Sequence, residues 1–179
     1  LEQAQINKID RMLDLAGVKA GDSILEIGTG WGALALRAAQ RGCHVKTITL
    51  SEEQYAFAEN QFEGAGVAEQ IELCLQDYRT QKGQFDAVLS CEMIEAVGKE
   101  YLGEYFRIVK QSLKPGAKAV IQAITIADDR YEQYSRGCDW IQKRIFPGGH
   151  LPSVGAIQTH VDKLGELTVS NVDAFGKDY

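Results

Sequence analysis

The sequence predicts one α/β domain built on a doubly wound, mostly parallel sheet. Two observations lead to this prediction. Short apolar runs alternate with amphipathic helical segments five times along the chain, and the links between them are short. Residues 85–91 form a mostly apolar run, which is typical of a strand that helices cover on both faces. With 179 residues, 45% of them apolar, the chain can bury one sizeable core.

The first half of the chain supplies three predicted strands and three predicted helices. Apolar residues recur at helical spacing over residues 2–16 and stop at Gly17. The helix after the first strand is expected to end near Gly42, because glycine commonly terminates helices. Residues 51–54, Ser-Glu-Glu-Gln, fit a capping box that begins a helix ending near Gly64. The strands are predicted at 24–27, 44–50 and 71–76.

The second half supplies three further strands and a helical insert. Lys114-Pro115-Gly116 separates a helix from the fifth strand, because proline and glycine end helices and form turns. Residues 127–147 are rich in aromatic side chains and interrupt the alternation as a helical insert. In chain order the predicted elements are a strand at 85–91, a helix at 102–113, a strand at 117–126, the insert, a helix from Ser153 to about Gly165, and a sixth strand at 166–172.

Three alternating glycines after the first predicted strand form the most informative motif. Gly28, Gly30 and Gly32 allow a sharp turn and a close approach of a ligand to the backbone. The spacing G-x-G-x-G differs from the dinucleotide-binding G-x-G-x-x-G, and no Lys-Ser/Thr pair follows as in a phosphate-binding loop. Glu26 adds a carboxylate that suits a cation. The motif therefore favours S-adenosylmethionine, with its amino group and sulfonium; the alternative is a tight turn without a ligand.

Ligands of doubly wound sheets bind at the carboxyl ends of the strands, so the residues predicted there are the candidate site. Glu95, Gln122 and Ile124 fall at the ends of the fourth and fifth strands. The candidate cofactor-binding residues are Glu26, Gly28, Thr29, Gly30, Trp31, Gly32, Thr49, Leu50, Ser51, Gln54, Gln76, Asp77, Tyr78 and Cys91.

Several of these side chains have specific candidate roles. Gln54 can bind a ribose in place of the acid that usually follows the glycines by about 20 residues, and it can equally serve the capping box. Asp77 can accept a hydrogen bond from the adenine amino group, or it is a turn residue. Tyr78 or Trp31 is expected to flank the adenine or the methionine. Cys91 can pack on the adenine, although an ordinary core position is the stronger interpretation.

Glu95 is the residue that we expect to carry chemistry. It follows the fourth strand just where the next helix begins, so its carboxylate is expected to face the site. The alternative is an acid in the first turn of a helix that interacts with the helix dipole, and this alternative is stronger for Glu92.

Composition excludes several classes of function. The net charge of −6 argues against nucleic-acid binding and against broad attraction to anionic lipid, so any membrane contact is expected to be local and apolar. The four cysteines show neither metal-ligand nor disulfide spacing and predict reduced thiols in the cytosol. The three histidines are scattered, which predicts no zinc site. No apolar run is long enough to span a bilayer.

Five stretches together resemble the cyclopropane-fatty-acyl-phospholipid synthases and the related mycolic acid cyclopropane synthases. The glycine motif alone indicates only a class I methyltransferase, whereas the stretch around Glu95 and the Phe-Pro-Gly-Gly segment are more specific. The resemblance implies a Rossmann-like class I methyltransferase fold and covers nearly the whole chain. The five stretches are residues 25–32, 49–54, 76–79, 93–98 and 145–153.

The resemblance implies transfer of the methyl group of S-adenosylmethionine to the cis double bond of a phospholipid acyl chain. A positioned base must then remove a proton beside a developing carbocation. In the family this base is a bound bicarbonate, held by a Cys, a Glu, a His, a Tyr and a backbone group. The glutamate matches Glu95, the backbone group matches Ile124, and the histidine position is Gln122. The resemblance places the cysteine upstream of Leu1 and the tyrosine near or beyond Tyr179.

The resemblance also carries expectations for the whole protein. Residues 1–179 are expected to be a fragment containing the methyltransferase domain, with the 127–147 insert either covering the acyl chain or packing as core. The protein is expected to be cytoplasmic, with peripheral contact at the inner membrane face, and a homodimer is the candidate oligomer. Because Gln122 cannot carry a proton as histidine can, simple methylation stays open beside ring closure. Two other functions stay open: methylation of a small polar molecule, and non-catalytic binding of cofactor or lipid.

Overall fold

A five-stranded parallel sheet organises the chain. The computed structural model describes residues 1–138 and 140–176. The strand order is β3-β2-β1-β4-β5, so the order reverses between β1 and β4 as a doubly wound sheet requires. Every adjacent pair of strands is parallel. The strands are β1 Ser23–Ile27, β2 His44–Thr49, β3 Ile71–Leu75, β4 Phe85–Cys91 and β5 Leu113–Gln122.

Eight α-helices connect or cover the strands within the described residues. Ser51 and Ser153 act as the predicted N-caps: their hydroxyls accept the backbone N–H groups of Gln54 and Ala156, each at 3.1 Å. The helices are α1 Glu2–Ala16, α2 Ala33–Gln40, α3 Glu52–Gly64, α4 Ile94–Val97, α5 Leu102–Gln111, α6 Asp128–Ser135, α7 Trp140–Arg144 and α8 Val154–Asp162. None of them is both long and apolar enough to cross a membrane, as far as the described residues go.

The sheet separates two hydrophobic clusters, which confirms the predicted doubly wound architecture. Successive residues of β1 point to opposite faces, so Ile24 joins one cluster and Leu25 the other. The first cluster contains the buried faces of α1, α2 and α3, and the second contains those of α4, α5 and α8. Burial on both faces explains why the central strands are nearly continuous apolar runs.

The predicted sixth strand is wrong. Residues 167–175 form neither helix nor strand. Leu167 and Val169 instead pack against the second cluster, and Lys110 binds the carbonyl of Leu164 at 3.1 Å and the carboxylate of Glu166 at 2.9 Å. Leu167 and Val169 are thus partly buried because the segment docks on helix α5, and it does not pair with a neighbouring strand.

The fifth strand begins and ends four residues earlier than predicted. A register shift between Phe85 and Ala87 of β4 accommodates the Lys-Pro-Gly sequence within β5. At the other end, the N–H of Ile126 bonds to the carbonyl of Pro152 at 3.0 Å, so the chain leaves the sheet after Gln122.

Replacement of Leu25 by alanine tests the two-cluster core. Leu25 is fully buried at the centre of the sheet, so the substitution is expected to lower the free energy of unfolding by about 2–5 kcal/mol in urea denaturation. Leu75→Ala is the matched control, because Leu75 is 49% exposed and should cost less than about 1 kcal/mol. Equal losses for the two variants would contradict the assignment of the core.

Candidate functional site

The glycine turn leaves one open approach to the backbone. Hydrogen bonds of 3.0 Å from the N–H groups of Gly28 and Thr29 to the carbonyl of Ile48 fix the turn against β2. A Cβ at Gly28 would lie 3.0 Å from Met93, and one at Gly32 would lie 3.0 Å from Phe62. At Gly30, with φ of +51°, no atom lies within 4 Å of that position. The space before Gly30 is therefore where a ligand can approach.

A buried carboxylate lies beneath this turn. Glu26 is 1% exposed, and burial raises its pKa to about 8, although a hydrogen bond from Thr47 opposes the shift. The Thr47 hydroxyl donates to Glu26 at 2.6 Å and lies 2.7 Å from the Thr29 hydroxyl. A cation placed here would stabilise the ionised carboxylate, as the sequence analysis expected of this position.

Sequence reasoning missed Thr47. It lies inside β2 at the position paired with Glu26, and its hydroxyl is fully buried. The available signal was a threonine at an inward position of β2, beside a strand that contains an acid next to its last residue.

The end of β2 holds Gln54 in a fixed position. The Thr49 hydroxyl donates to Gln54 Oε1 at 2.9 Å and accepts the N–H of Ser51 at 3.1 Å. Half of the predicted capping box therefore forms, since Ser51 caps Gln54 but the Gln54 side chain binds Thr49 instead of the Ser51 N–H. The Gln54 amide nitrogen is left to donate to a ligand. Leu50, 71% exposed, follows Thr49.

The residues after β3 take structural roles. The Asp77 carboxylate accepts the backbone N–H of Arg79 at 2.8 Å and binds its guanidinium, which lowers the pKa of Asp77. Gln76 donates to Gln81 at 3.2 Å, and Tyr78 packs edge-on against Tyr105. The turn role of Asp77 is therefore present, and its contact with adenine stays a prediction. Trp31 is 59% exposed and stacks edge-on against Phe57 rather than against Tyr78.

Glu95 is half-buried, and one of its carboxylate oxygens has no hydrogen-bond partner. Its Oε1 accepts the backbone N–H of Ile124, and its Oε2 is buried without a hydrogen-bond partner. Burial raises the pKa of Glu95, and the Ile124 N–H partly offsets the shift. A half-buried carboxylate with a free oxygen can accept a proton from a molecule bound beside it.

The glycine turn and Glu95 lie near each other at the carboxyl edge of the sheet. Glu95 follows Met93 by two residues, and Met93 packs directly on Gly28. Cys91 and Gln122 end β4 and β5 in paired register, with the Cys91 sulfur 2.8 Å from Gln122 Oε1. These residues therefore line the edge of the sheet next to the turn, as the sequence predicted.

The Phe-Pro-Gly-Gly segment docks on helix α4, which carries Glu95 in its first turn. The N–H of His150 donates to the carbonyl of Glu95 at 2.8 Å, and the His150 ring bonds to the Tyr131 hydroxyl at 3.0 Å. The Tyr134 hydroxyl accepts the N–H of Leu151 at 3.1 Å. A Cβ at Gly149 would lie 3.1 Å from the carbonyl of Phe146, so glycine keeps this turn tight.

The insert is not a hydrophobic core. No described residue of α6 or α7 is buried, and the exposed fraction of Phe146 is 68%. The interpretation of the insert as core is therefore wrong for these helices. Its exposed apolar side chains are Trp140, Ile141, Ile145 and Phe146.

The chain matches a known family along its whole length. The family model described as mycolic acid cyclopropane synthetase matches residues 1–179.

Two curated relatives have names that refer to fatty acids. The tuberculostearic acid methyltransferase UfaA1 of Mycobacterium tuberculosis is 48% identical over 168 residues, which are 94% of this chain and 39% of that protein. The cyclopropane-fatty-acyl-phospholipid synthase of Escherichia coli K12 is 34% identical over 180 residues, which are 100% of this chain and 44% of that protein. The chain thus spans less than half the length of these relatives.

Solved structures share the fold. The mycolic acid cyclopropane synthase CmaA1, crystallised with SAH and CTAB, has a TM-score of 0.84 at 26% identity, over 95% of this chain and 63% of that one. The cyclopropane synthase MmaA2 of Mycobacterium tuberculosis has a TM-score of 0.81 at 26% identity, over 92% of this chain and 61% of that one.

Glu26→Gln tests the burial of the carboxylate under the turn. Because the folded-state pKa is raised, native Glu26 holds more protons than the unfolded chain between about pH 4.5 and 8, and its contribution to stability is lost as pH rises through this window. The stability of the parent chain relative to Glu26→Gln should fall by on the order of 4 kcal/mol across the window. Urea denaturation of both chains from pH 5 to pH 9 measures this difference, and a constant difference would contradict the prediction.

Proposed function

Because the chain belongs to the mycolic acid cyclopropane synthetase family, we propose that it is part of an enzyme that methylates the double bond of unsaturated acyl chains in phospholipid. The observation that supports this most is the packing of Met93, which directly precedes the helix that carries Glu95, on the glycine turn. This contact brings the open side of the glycine turn, with Glu26 beneath it, and an unsatisfied carboxylate to one edge of the sheet.

S-adenosylmethionine suits the open side of the glycine turn as methyl donor. When bound, it supplies an electrophilic methyl group on a positively charged sulfur. The open space before Gly30 admits the ligand to the backbone, and Glu26 can lose its proton to balance the positive charge. Gln54, oriented by Thr49, is placed to donate to a ribose hydroxyl, and Trp31 and Leu50 offer exposed apolar surface to the adenine.

Glu95 is the proposed base. Methylation of an alkene carbon leaves a carbocation on the acyl chain. Loss of a proton neutralises this cation, and the buried, unsatisfied Oε2 of Glu95 accepts that proton. Loss of that proton from the new methyl group closes a cyclopropane ring. If a hydride first shifts from the methylated carbon to the neighbouring cationic carbon, loss of a methyl proton instead forms a methylene branch. The two relatives named above bear these alternatives in their names, a methyltransferase and a cyclopropane synthase.

Bicarbonate does not fit the described residues well. The Ile124 N–H already donates to Glu95, and the Gln122 amide already donates to Glu92 at 2.9 Å. With these contacts made, the described residues leave one N–H of the Gln122 amide to donate to an anion. We therefore assign the proton transfer to Glu95 itself.

An acyl chain fits the surroundings of Glu95 better than a small polar substrate does. Ile124, which binds Glu95 through its backbone, has a side chain that is 53% exposed. Phe146 and Ile145 lie just before the glycines that dock on helix α4, which carries Glu95. Both side chains are more than half exposed. We also propose that the enzyme contacts the cytoplasmic face of the membrane peripherally and that it forms a homodimer.

Glu95→Gln separates binding from chemistry. The amide keeps the shape and the contact with Ile124 but cannot accept a proton, so the full-length variant should lose methyl transfer to unsaturated phospholipid by about a hundredfold or more. Its affinity for S-adenosylmethionine, measured by calorimetry, should stay within about threefold of the parent protein.

A control variant and a product analysis complete this test. Glu100→Gln is the matched control, because it removes an exposed carboxylate five residues away and should leave turnover unchanged. Proton NMR of the product distinguishes cyclopropane protons from a methylene branch. Normal turnover by Glu95→Gln would refute the role of Glu95.

A further inference from the structure

The backbone at Glu92 adopts a conformation that suits glycine. Among the described residues, Glu92 is the one non-glycine residue with a positive φ, at +50°. Side chains are disfavoured there because Cβ approaches the following carbonyl oxygen. Glu92 directly follows β4 and precedes Glu95 by three residues. A strained residue beside a candidate active site persists only when its surroundings fix it, so the contacts of Glu92 need a physical explanation.

Glu92 and Gln122 are joined twice. The backbone N–H of Glu92 donates to the carbonyl of Gln122 at 2.9 Å, and the side-chain amide of Gln122 donates to Glu92 Oε1 at 2.9 Å. Because both contacts join the same two residues, the backbone conformation of Glu92 and the position of its carboxylate depend on each other.

The second contact fixes which way the Gln122 amide points. A carboxylate can only accept hydrogen bonds, so the nitrogen end of the amide must face Glu92. The oxygen end then faces Cys91, whose sulfur lies 2.8 Å away. Gln122 is only 8% exposed, so a flipped amide would leave buried polar atoms without partners. Glu92 and Cys91 together therefore permit one orientation.

Lys8 links this cluster to the first helix. Its ammonium lies 3.6 Å from Glu92 Oε1, and its side chain is only 17% exposed. The same ammonium faces the Cys91 thiol, whose pKa is raised mainly by burial and lowered by Lys8. Side chains from α1, β4 and β5 thus meet at the carboxyl edge of the sheet.

We propose that Glu92 is a positioning residue that holds the Gln122 amide in a single orientation beside the reacting groups, and that the strained backbone at Glu92 is retained for this contact. The proposal rests on the proposed function, because Gln122 ends β5 two residues before Ile124, whose N–H binds the proposed base Glu95. It assigns Glu92 no contact with the substrate and no proton transfer.

The Glu92→Gly variant tests the proposal without disrupting the fold. Glycine adopts the observed φ readily, so thermal stability should stay equal or rise, whereas the acceptor for Gln122 is lost. Glu92→Gln keeps an acceptor oxygen and is the conservative variant. Glu63→Gln, on the exposed surface of α3, is the matched control.

NMR of the side-chain amide gives a readout independent of activity. In the full-length parent protein, the two amide protons of Gln122, assigned by their loss in Gln122→Met, should be slow to exchange with solvent. Exchange should accelerate at least tenfold in Glu92→Gly and return toward the parent rate in Glu92→Gln. An equally protected amide in Glu92→Gly overturns the proposal.

Kinetics of the full-length protein give the functional readout. For methyl transfer to unsaturated phospholipid, kcat should fall about tenfold to a hundredfold in Glu92→Gly, with KM for S-adenosylmethionine unchanged and partial recovery in Glu92→Gln. If the Gln122 amide protons exchange rapidly in Glu92→Gly but kcat is unchanged, the proposal is also overturned. Absence of turnover in the parent protein would refute the proposed function instead, and the exchange rates would still decide the role of Glu92.

Discussion

The close packing of Met93 on Gly28 is the contact on which the rest of the site depends. A Cβ at Gly28 would lie 3.0 Å from the Met93 side chain, so only glycine lets the loop after β4 approach the turn after β1 this closely. The sheet order supports the contact, because β1 and β4 are neighbours where the strand order reverses. Met93 lies between Glu92 and helix α4, whose first turn carries Glu95, so one steric constraint sets the positions of two acids.

Burial then gives the acids different chemistry. Glu26 is fully buried and raised in pKa to about 8, which makes its ionisation depend on a cation beside it. Glu95 is only half-buried, keeps one unsatisfied oxygen, and has its pKa raised by burial against the opposing Ile124 N–H. Glu92 pairs with Lys8 and Gln122 and serves to orient a neighbour. Of the three carboxylates near this turn, Glu26 can thus bind a cation, Glu95 can accept a proton, and Glu92 can position a side chain.

The sequence predicted the architecture well because helical and apolar periodicity report burial, and burial follows from the sheet. It failed at residues 166–172, where an alternating pattern docks on the core without a partner strand, since periodicity cannot distinguish pairing from packing. Thr47 escaped notice because its role depends on which residue of β1 it faces. The φ of Glu92 and the flip of Gln122 arise only from tertiary contacts, which no local pattern encodes.

The most direct test of this account is a crystal structure of the full-length protein with S-adenosylhomocysteine. The account predicts the sulfur of the ligand in the space between Gly30 and the loop after β4, with its amino group on the Glu26 side and its ribose near Gln54. The Glu95 carboxylate should face the position of the missing methyl group. A ligand bound elsewhere, or a Glu95 carboxylate turned away from the sulfur, would contradict it.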